Sequence, residues 1–551
     1  MAQRFDPITL EILWRRLISI VDEADAAVAR TAFSSLLRDA HDYTCMFTDS
    51  RGRELAQGTL ATPGQSGAMA LGIGKLVQGL AARSLKRGDV FITNDPWALA
   101  GHLNDVCVLS PIFHGERLAG ITACILHHSD VGGRVSSDNR EVFEEGLFIP
   151  LVKLYDAGML NQGVLDMILA NVRTPEQVNG DIRSQLAANH VCAEQVLRMI
   201  EDYRLESLDE LADEIIARSE RSIRASIARA PAGVYRAEGA IEQMQGQPEV
   251  HIRCAVTIKG NDITVDLTGS SPQVAWAGNV VYNFTYAYAH MAVKSIFDPD
   301  IPNNHGVAVP IRLIAPEGTV VNCRHPAAVA ARMQIGHFVT EIIYRALAKA
   351  LPDRVIAASG GTPATMQMFY GRRGDGRPFH TVLIRGGGLG ASAAGDGEGC
   401  FIFPANGANT PVEILESDSP LIVESRELLT DSGGPGKHRG ALGRREVFRV
   451  PGGDSAPQSV SHALQSGRFR LPPEGLAGGK PGAHAQFLVN GRPGDPYGLT
   501  QLAPGDVVVM DAAGGGGYGD PRERDAQALA RDVSEGKVSP ERALVDYGAT
   551  G

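Results

Sequence analysis

The chain has 551 residues, 44% apolar and 21% charged, which is enough apolar material to bury a large core, and its formal net charge is −11. That charge, with no block of lysine and arginine and no basic patch interleaved with aromatics, argues against nucleic acid as the main partner. The longest apolar runs are strand-length and the N-terminal MAQRFDPITLEILWRRL is charged early, so neither a transmembrane helix nor a secretory signal is expected, and a cytoplasmic protein is.

The cysteines (Cys45, Cys107, Cys124, Cys192, Cys254, Cys323 and Cys400) are widely spaced, odd in number and contain no CxxC pair. Reduced, mostly buried thiols are the expectation. Glycine is the unusual count, 63 residues, concentrated after Ser359. Strand-like apolar runs separate these glycines, so tight turns and close backbone approaches are expected, not disorder.

In chain order, Asp6-Pro7 opens a helix with Asp as N-cap and Pro in the first turn, and Ile8, Ile12, Leu13, Leu17, Ile20 and Val21 come after it at helical spacing to about Phe33. A hairpin comes next: a strand from Asp42 to Phe47, a polar turn through Asp49 to Gly52, and a return strand from Arg53 to Gln57. Asp42 stands where the loop enters the first strand, a usual place for a functional carboxylate, with Asp39 and His41 as neighbouring alternatives. Gly67 to Ala82 reads as helix and Asp89 to Thr93 as a buried strand.

The richest chemistry lies between Phe91 and Gly133. Two apolar runs, Val106 to Phe113 and Leu118 to Ile125, flank His114-Gly115-Glu116 and predict an antiparallel hairpin. Its open end would gather His102 and Asp105 with His127, His128 and Asp130, imidazoles and carboxylates of the kind that hold a divalent transition metal. Side chains alternate faces along a strand, so His127 and His128 divide. His127 continues the face of residues 121, 123 and 125 and is the expected ligand, with His128 a supporting or substrate-facing group. Zn, Mn and Fe all suit this donor set. Asp95, in Thr93-Asn94-Asp95-Pro96, is a further candidate or a plain turn residue.

Downstream, Glu144 and Glu145 are acidic candidates, with a solvated face as the alternative reading. Leu165 to Ala230 is helical in pattern, interrupted at Thr174-Pro175. Tyr235 to Leu267 reads as strands, Tyr282 to Ile296 as helix, Val307 to Ile314 as strand and Ala327 to Leu351 as helix. From Ser359 the chain turns β-rich, and two short helices end it. The regions expected are 1–230, carrying the metal site, 231–355 as a middle α+β region, and 356–551 as the glycine-rich region.

Several motifs are missing. Gly386 to Ala391 nearly matches GxGxxA, but the residues after Ala391 are not helical in pattern, and no GxxxxGK[ST], GxSxG or HExxH is present. No nucleotide site of those types is expected in this chain.

Taken together, RDAHDYTCMFTDSRGRELAQG, FITNDPW, GHLNDV, HHSDVGG, EEGLFIPLVKLY, FDPDIPNN, APEGTVVN, DSGGPGKHRGALG and AAGGGGYGDPRERD resemble the hydantoinase B/oxoprolinase family over residues 38 to 524. The resemblance implies an α+β fold: a large mixed chain with helical N-terminal segments, a metal-bearing β-hairpin region and a glycine-rich, β-rich C-terminal half. It implies the catalytic subunit of an ATP-dependent cyclic amidase acting on hydantoin, lactam or oxoproline rings. A hydantoinase A-type ATPase subunit would be the partner and would bind the ATP. Ketone carboxylase subunits of the acetone and acetophenone type are related, and a non-catalytic scaffold for the ATPase is a third reading. Carried over by motif, the metal ligands fall on Asp42, His102, Asp105 and His127, with His128 or Asp130 as general base or orienting group. The chain departs from the family pattern with Ala-Leu-Ala-Gly before His102 and with Gln65 where a histidine is common, both at positions expected to line the substrate pocket.

Overall fold

The computed structural model describes residues 5–81, 85–99, 101–242 and 247–549. Ala82, Ala100 and residues 243–246, which fall within stretches read above, lie outside them.

The first helix, Pro7–Thr31, is capped as expected: the Asp6 carboxylate accepts from Ile8 N and Thr9 N at 3.0 Å each. It stops two residues short of Phe33 because Asp181 takes the backbone N–H groups of Phe33 and Ser34. Its face of Leu10, Leu13, Leu17, Ile20 and Val21 is buried.

That helix packs on a seven-stranded sheet whose strands are β1 (Tyr43–Asp49), β2 (Glu54–Gln57), β3 (Val90–Thr93), β4 (Asp105–His114), β5 (Arg117–His127), β6 (Val152–Asp156) and β7 (Met159–Leu160), in the order β2-β1-β5-β4-β3-β6-β7. The predicted hairpin is β4–β5, with Asp105 opposite His127, and β1 lies along the other edge of β5 with Tyr43 opposite Leu126. Strand alternation buries both faces. Ile121, Ala123 and Ile125 pack with Met69 and Ile73 of helix Pro63–Ala81. Cys124 and Leu126 pack with Leu17 of the first helix and with Ala188 and Cys192 of helix Pro175–Asp202.

Two expectations for the middle of the chain change. Val307 to Ile314 is not one strand: the Asn304 side chain accepts from Gly306 N at 2.9 Å and starts a helical turn at His305–Ala308. Only Ile311–Ile314 is extended, pairing in parallel with Asp262–Asp266. Ala327 to Leu351 is helical only at Met333–Gly336 and Phe338–Leu347. Residues ahead of Met333 stay irregular because the buried Glu145 carboxylate accepts from Val329 N and Ala330 N at 2.8 Å each. Helix Tyr282–Phe297 forms as expected.

The glycine-rich part builds two sheets of four and five strands. Its clusters are places where backbones touch. A Cβ on Gly515 would stand 2.0 Å from Leu389 O, while Gly388 N donates to Ala513 O at 3.0 Å and Gly516 N to Ala358 O at 2.8 Å. Among the described residues no helix is long and apolar enough to cross a membrane.

Candidate active site

Sheet register assembles the site at one end of β1, β5 and β4. Asp105 opens β4 and His127 closes β5 directly opposite. His127 N donates to Asp42 O at 3.1 Å, which fixes Asp42 at the entry to β1 beside the pair. His102 stands one turn before β4, where Asp105 N donates to His102 O at 3.3 Å. The rings of His102 and His127 lie 4.8 Å apart, and His102 Nε2 is 3.2 Å from Asp105 Oδ2. All four side chains are buried.

Further side chains complete the cluster. Gln65 Nε2 bridges the carboxylates, 3.2 Å from Asp42 Oδ1 and 3.1 Å from Asp105 Oδ1, and Thr44 Oγ1 orients it by donating to Gln65 Oε1 at 3.1 Å. The buried Arg332 guanidinium donates to Asp105 Oδ2 at 2.6 Å and lies over the Phe284 ring, 4.3 Å from its centroid. His337 Nε2 sits 3.1 Å from Tyr288 Oη. Two small cavities of about 40 Å³ each touch both His102 and His127. One is lined by Asp42, Gln65, Tyr288, Arg332 and His337, the other by Ser129, Glu145, Met366 and His380.

Burial and neighbouring charge set the protonation. Burial, then repulsion from Asp105, pushes the Asp42 carboxyl up to about 7. Burial would raise Asp105 too, but His102 and Arg332 outweigh it and hold the group well below the usual carboxylate range. Burial, with His102 next, brings His127 down to about 3, and burial with Arg332 lowers His102. The result is an ionised Asp105 carboxylate, held by the Arg332 guanidinium, beside two imidazoles that burial drives toward the neutral form.

Whether a divalent cation suits these residues can be read from the partners they lack. Both ring nitrogens of His127, and Nε2 of His102, are buried without a hydrogen-bond partner among the described residues. His102 Nδ1 lies 3.4 Å from Ala330 O, the contact of an Nδ1–H donor, which leaves the Nε2 lone pair pointing toward a carboxylate oxygen. Unpartnered imidazole lone pairs beside an ionised carboxylate are the donor set a cation satisfies, so the residues fit. They do not stand in a ready-made metal-holding arrangement among the described residues; Gln65 and Arg332 take up the carboxylates.

The structure thus brings together Asp42, His102, Asp105 and His127, and leaves His128 and Asp130 outside the cluster. His128 is turned to the opposite face of the sheet, with Nε2 3.4 Å from Gln185 Oε1 of helix Pro175–Asp202. Asp130 is committed to Arg173 Nη1 at 2.7 Å, to Gly132 N at 3.0 Å and to Arg173 N. His128 thus faces away from the centre, whereas Asp130 lines the inner cavity with His102 and His127 but has both oxygens engaged by Arg173 and neighbouring backbone N–H groups. Asp39 pairs with Arg38 at 3.1 Å, Asp95 accepts from Trp97 N in a turn, and Glu144 accepts from Arg140 N and Glu141 N. Glu145 is buried and shapes the chain around Ala330. Sequence reasoning missed Arg332, Tyr288 and His337. The signal for Arg332 and His337 was present, as a cation and an imidazole inside the apolar run from Ala327 to Val339.

A mixed fold with this end-of-sheet cluster defines the class, and comparison with known proteins gives the family. The chain belongs to the hydantoinase B/oxoprolinase family, whose model matches residues 6–521. It is 33% identical to an uncharacterised protein of Methanocaldococcus jannaschii over 98% of this chain and 96% of that one. It is 28% identical to the caprolactamase subunit beta of Pseudomonas jessenii over 98% and 96%. The crystal structure of the ATP-dependent caprolactamase from Pseudomonas jessenii superposes with a TM-score of 0.91 at 26% identity, covering 100% of this chain and 97% of that one. The name of the second relative marks it as one subunit of a hetero-oligomer.

Proposed function

We propose that this chain is the catalytic subunit of an ATP-dependent cyclic amidase, opening lactam, hydantoin or oxoproline-type rings at the cluster of Asp42, His102, Asp105 and His127. The observation that carries the reading is the convergence of these four buried side chains, with unpartnered imidazole nitrogens, in a chain of the hydantoinase B/oxoprolinase family. An ATPase subunit of the hydantoinase A type phosphorylates the ring oxygen, since unstrained amide rings open with little driving force. Water then adds to the activated carbon, the ring C–N bond breaks as the nitrogen takes a proton and leaves an acyl phosphate, and a second water hydrolyses that acyl phosphate to the carboxylate and inorganic phosphate. When bound at these four residues, a divalent cation such as Zn, Mn or Fe supplies Lewis-acid activation of water and of a carbonyl or phosphoryl oxygen.

The chain's own residues do the positioning. Neutral His102 and His127 offer lone pairs, and Asp105 supplies fixed negative charge between them. The Gln65 amide keeps Asp42 and Asp105 in register. Arg332 carries the positive charge that a phosphoryl group or a developing oxyanion requires in a dry site. His128 and Asp130 take no part in the chemistry.

The test is co-expression with an A-type subunit, following ADP release over hydantoins, lactams and ketones with and without bicarbonate. ADP release coupled to amino-acid formation from cyclic amides, indifferent to bicarbonate, is expected. Bicarbonate-dependent turnover of ketones would replace the reading with a carboxylase. Ring opening by this chain alone without ATP would refute the two-subunit scheme.

A further inference from the structure

A cavity of about 600 Å³ lies between strand β2, helix Pro63–Ala81, helix Tyr282–Phe297 and the turn at His305–Ala308, a volume in the range of small-molecule sites. It adjoins the reaction centre. Pro63 and Ser66, in the first turn of helix Pro63–Ala81, line it, while Gly64 and Gln65 of the same turn line the inner cavity of Asp42 and Arg332. Asn406 lines both.

Glu54 is the group in this lining that the fold leaves unsatisfied. It is 6% exposed, and neither carboxyl oxygen is bonded or ion-paired among the described residues. Oε1 is the oxygen sealed in the protein, so Oε2 is the one that meets the cavity. Buried polar groups are nearly always partnered, so an unpartnered carboxyl at a cavity wall points to a ligand. No charged side chain acts on it: burial alone pushes the carboxyl up to about 8. At neutral pH it therefore keeps its proton and offers one donor beside one acceptor.

The charges around the cavity call for a neutral ligand. Arg53 pairs with Asp49 at 2.7 Å and with Asp213 at 2.6 Å, and Arg51 with Asp213 at 3.4 Å. Lys294 donates to Pro299 O at 2.6 Å in the field of Asp298 and Asp300, and Lys75 holds its ammonium 5.9 Å over the Tyr282 ring. These acids cancel most of the attraction for an anion, and the four cations of the lining repel an ammonium. Ala61, Leu71, Ala287 and Met291 add apolar wall for a hydrocarbon ring. A protonated carboxyl is the complement of a cis-amide edge: its O–H donates to the amide carbonyl, and its own carbonyl accepts from the amide N–H.

We propose that this cavity binds the unactivated cyclic amide through a paired hydrogen bond with Glu54, one helical turn from the centre at which the ring is opened. The inference rests on the ring-opening reading for the identity of its ligand. It adds a selection rule to that reading: a ring with an amide N–H is accepted, and a lactone or a ring-opened amino acid is not.

The test is a ligand-observed NMR titration of the purified full chain at pH 7, without ATP or partner, with 2-pyrrolidinone, γ-butyrolactone and 4-aminobutyrate. The lactone keeps ring and carbonyl but has oxygen in place of the N–H, and 4-aminobutyrate is the lactam opened. Saturable binding of the lactam is expected, with the lactone about tenfold weaker for want of one hydrogen bond, and 4-aminobutyrate weaker still. Glu54→Leu should weaken lactam binding by about tenfold or more, whereas Glu54→Gln, which keeps a donor and an acceptor in place, should hold it within about threefold. The ligand series on the parent protein needs no variant to fold. Equal affinity for lactam and lactone, no lactam binding at millimolar concentration, or unchanged lactam affinity in Glu54→Leu would overturn the proposal. Because no turnover is measured, the two readings fail separately. A complex that opens rings while its chain binds lactam without Glu54 sinks this site alone. Selective lactam binding through Glu54, in a complex that turns over only ketones, sinks the amidase reading and leaves the site.

Discussion

Arg332→Met isolates the interaction on which the cluster's charge balance turns. Asp105 is 1% exposed and Arg332 6%, and they meet at 2.6 Å. Removing the guanidinium leaves an ionised carboxylate in a dry site, with Gln65 and His102 as its remaining neighbours. Breaking a buried pair from one side costs about 3–5 kcal/mol. The lost stacking on Phe284, 4.3 Å from the guanidinium, adds ~1 kcal/mol. The assay is urea unfolding of the purified chain, stripped of divalent metal by a chelator, at pH 7, read as the midpoint with the slope held fixed. Asp105→Leu combined with Arg332→Met should recover most of the loss, since no uncompensated charge then remains. A loss below ~1 kcal/mol for Arg332→Met, or simple additivity in the double variant, would refute the claim that this pair neutralises the site.

The same structure makes three other outcomes testable. Glu54 is buried, Oε1 has no partner among the described residues, and burial pushes its carboxyl up from 4.5 to about 8. Between those pH values the folded chain keeps a proton that the unfolded chain has released, so stability falls as pH rises through that window, by ~3–5 kcal/mol. Glu54→Gln should flatten the profile, and parallel urea midpoints at pH 5, 7 and 9 for both proteins would contradict it. Gly515→Ala places a Cβ 2.0 Å from Leu389 O, a backbone clash that nothing can relieve cheaply. Loss of ~3 kcal/mol or more is expected, seen as insoluble or protease-sensitive protein. His128→Gln, turned toward helix Pro175–Asp202, should keep ATP-dependent ring opening within about threefold, because only one weak hydrogen bond changes. A hundredfold loss would return it to the catalytic groups.

Much of the site was legible because it depends on strand periodicity. The turn at His114-Gly115-Glu116 sets the register of β4 and β5, register places Asp105 opposite His127, and alternation sends His127 to one face and His128 to the other. Asp42 needed the family resemblance, because nothing local shows that β1 runs beside β5. Arg332 was missed for a different reason. The run from Ala327 reads as helix by composition, and only Glu145, 184 residues from Val329, holds its start irregular so that Arg332 reaches Asp105. The glycine clusters were read correctly as close backbone approaches, but which strands they join is long-range information that local pattern does not contain.

Asp42, His102, Asp105 and His127 are proposed to hold a catalytic divalent cation. The direct measurement is elemental analysis of the purified complex alongside His102→Ala and His127→Ala, each checked for folding by circular dichroism. Zn, Mn or Fe at a fixed stoichiometry is expected in the parent protein, with its loss from both folded variants together with ring-opening activity. Full metal content surviving both substitutions would contradict it.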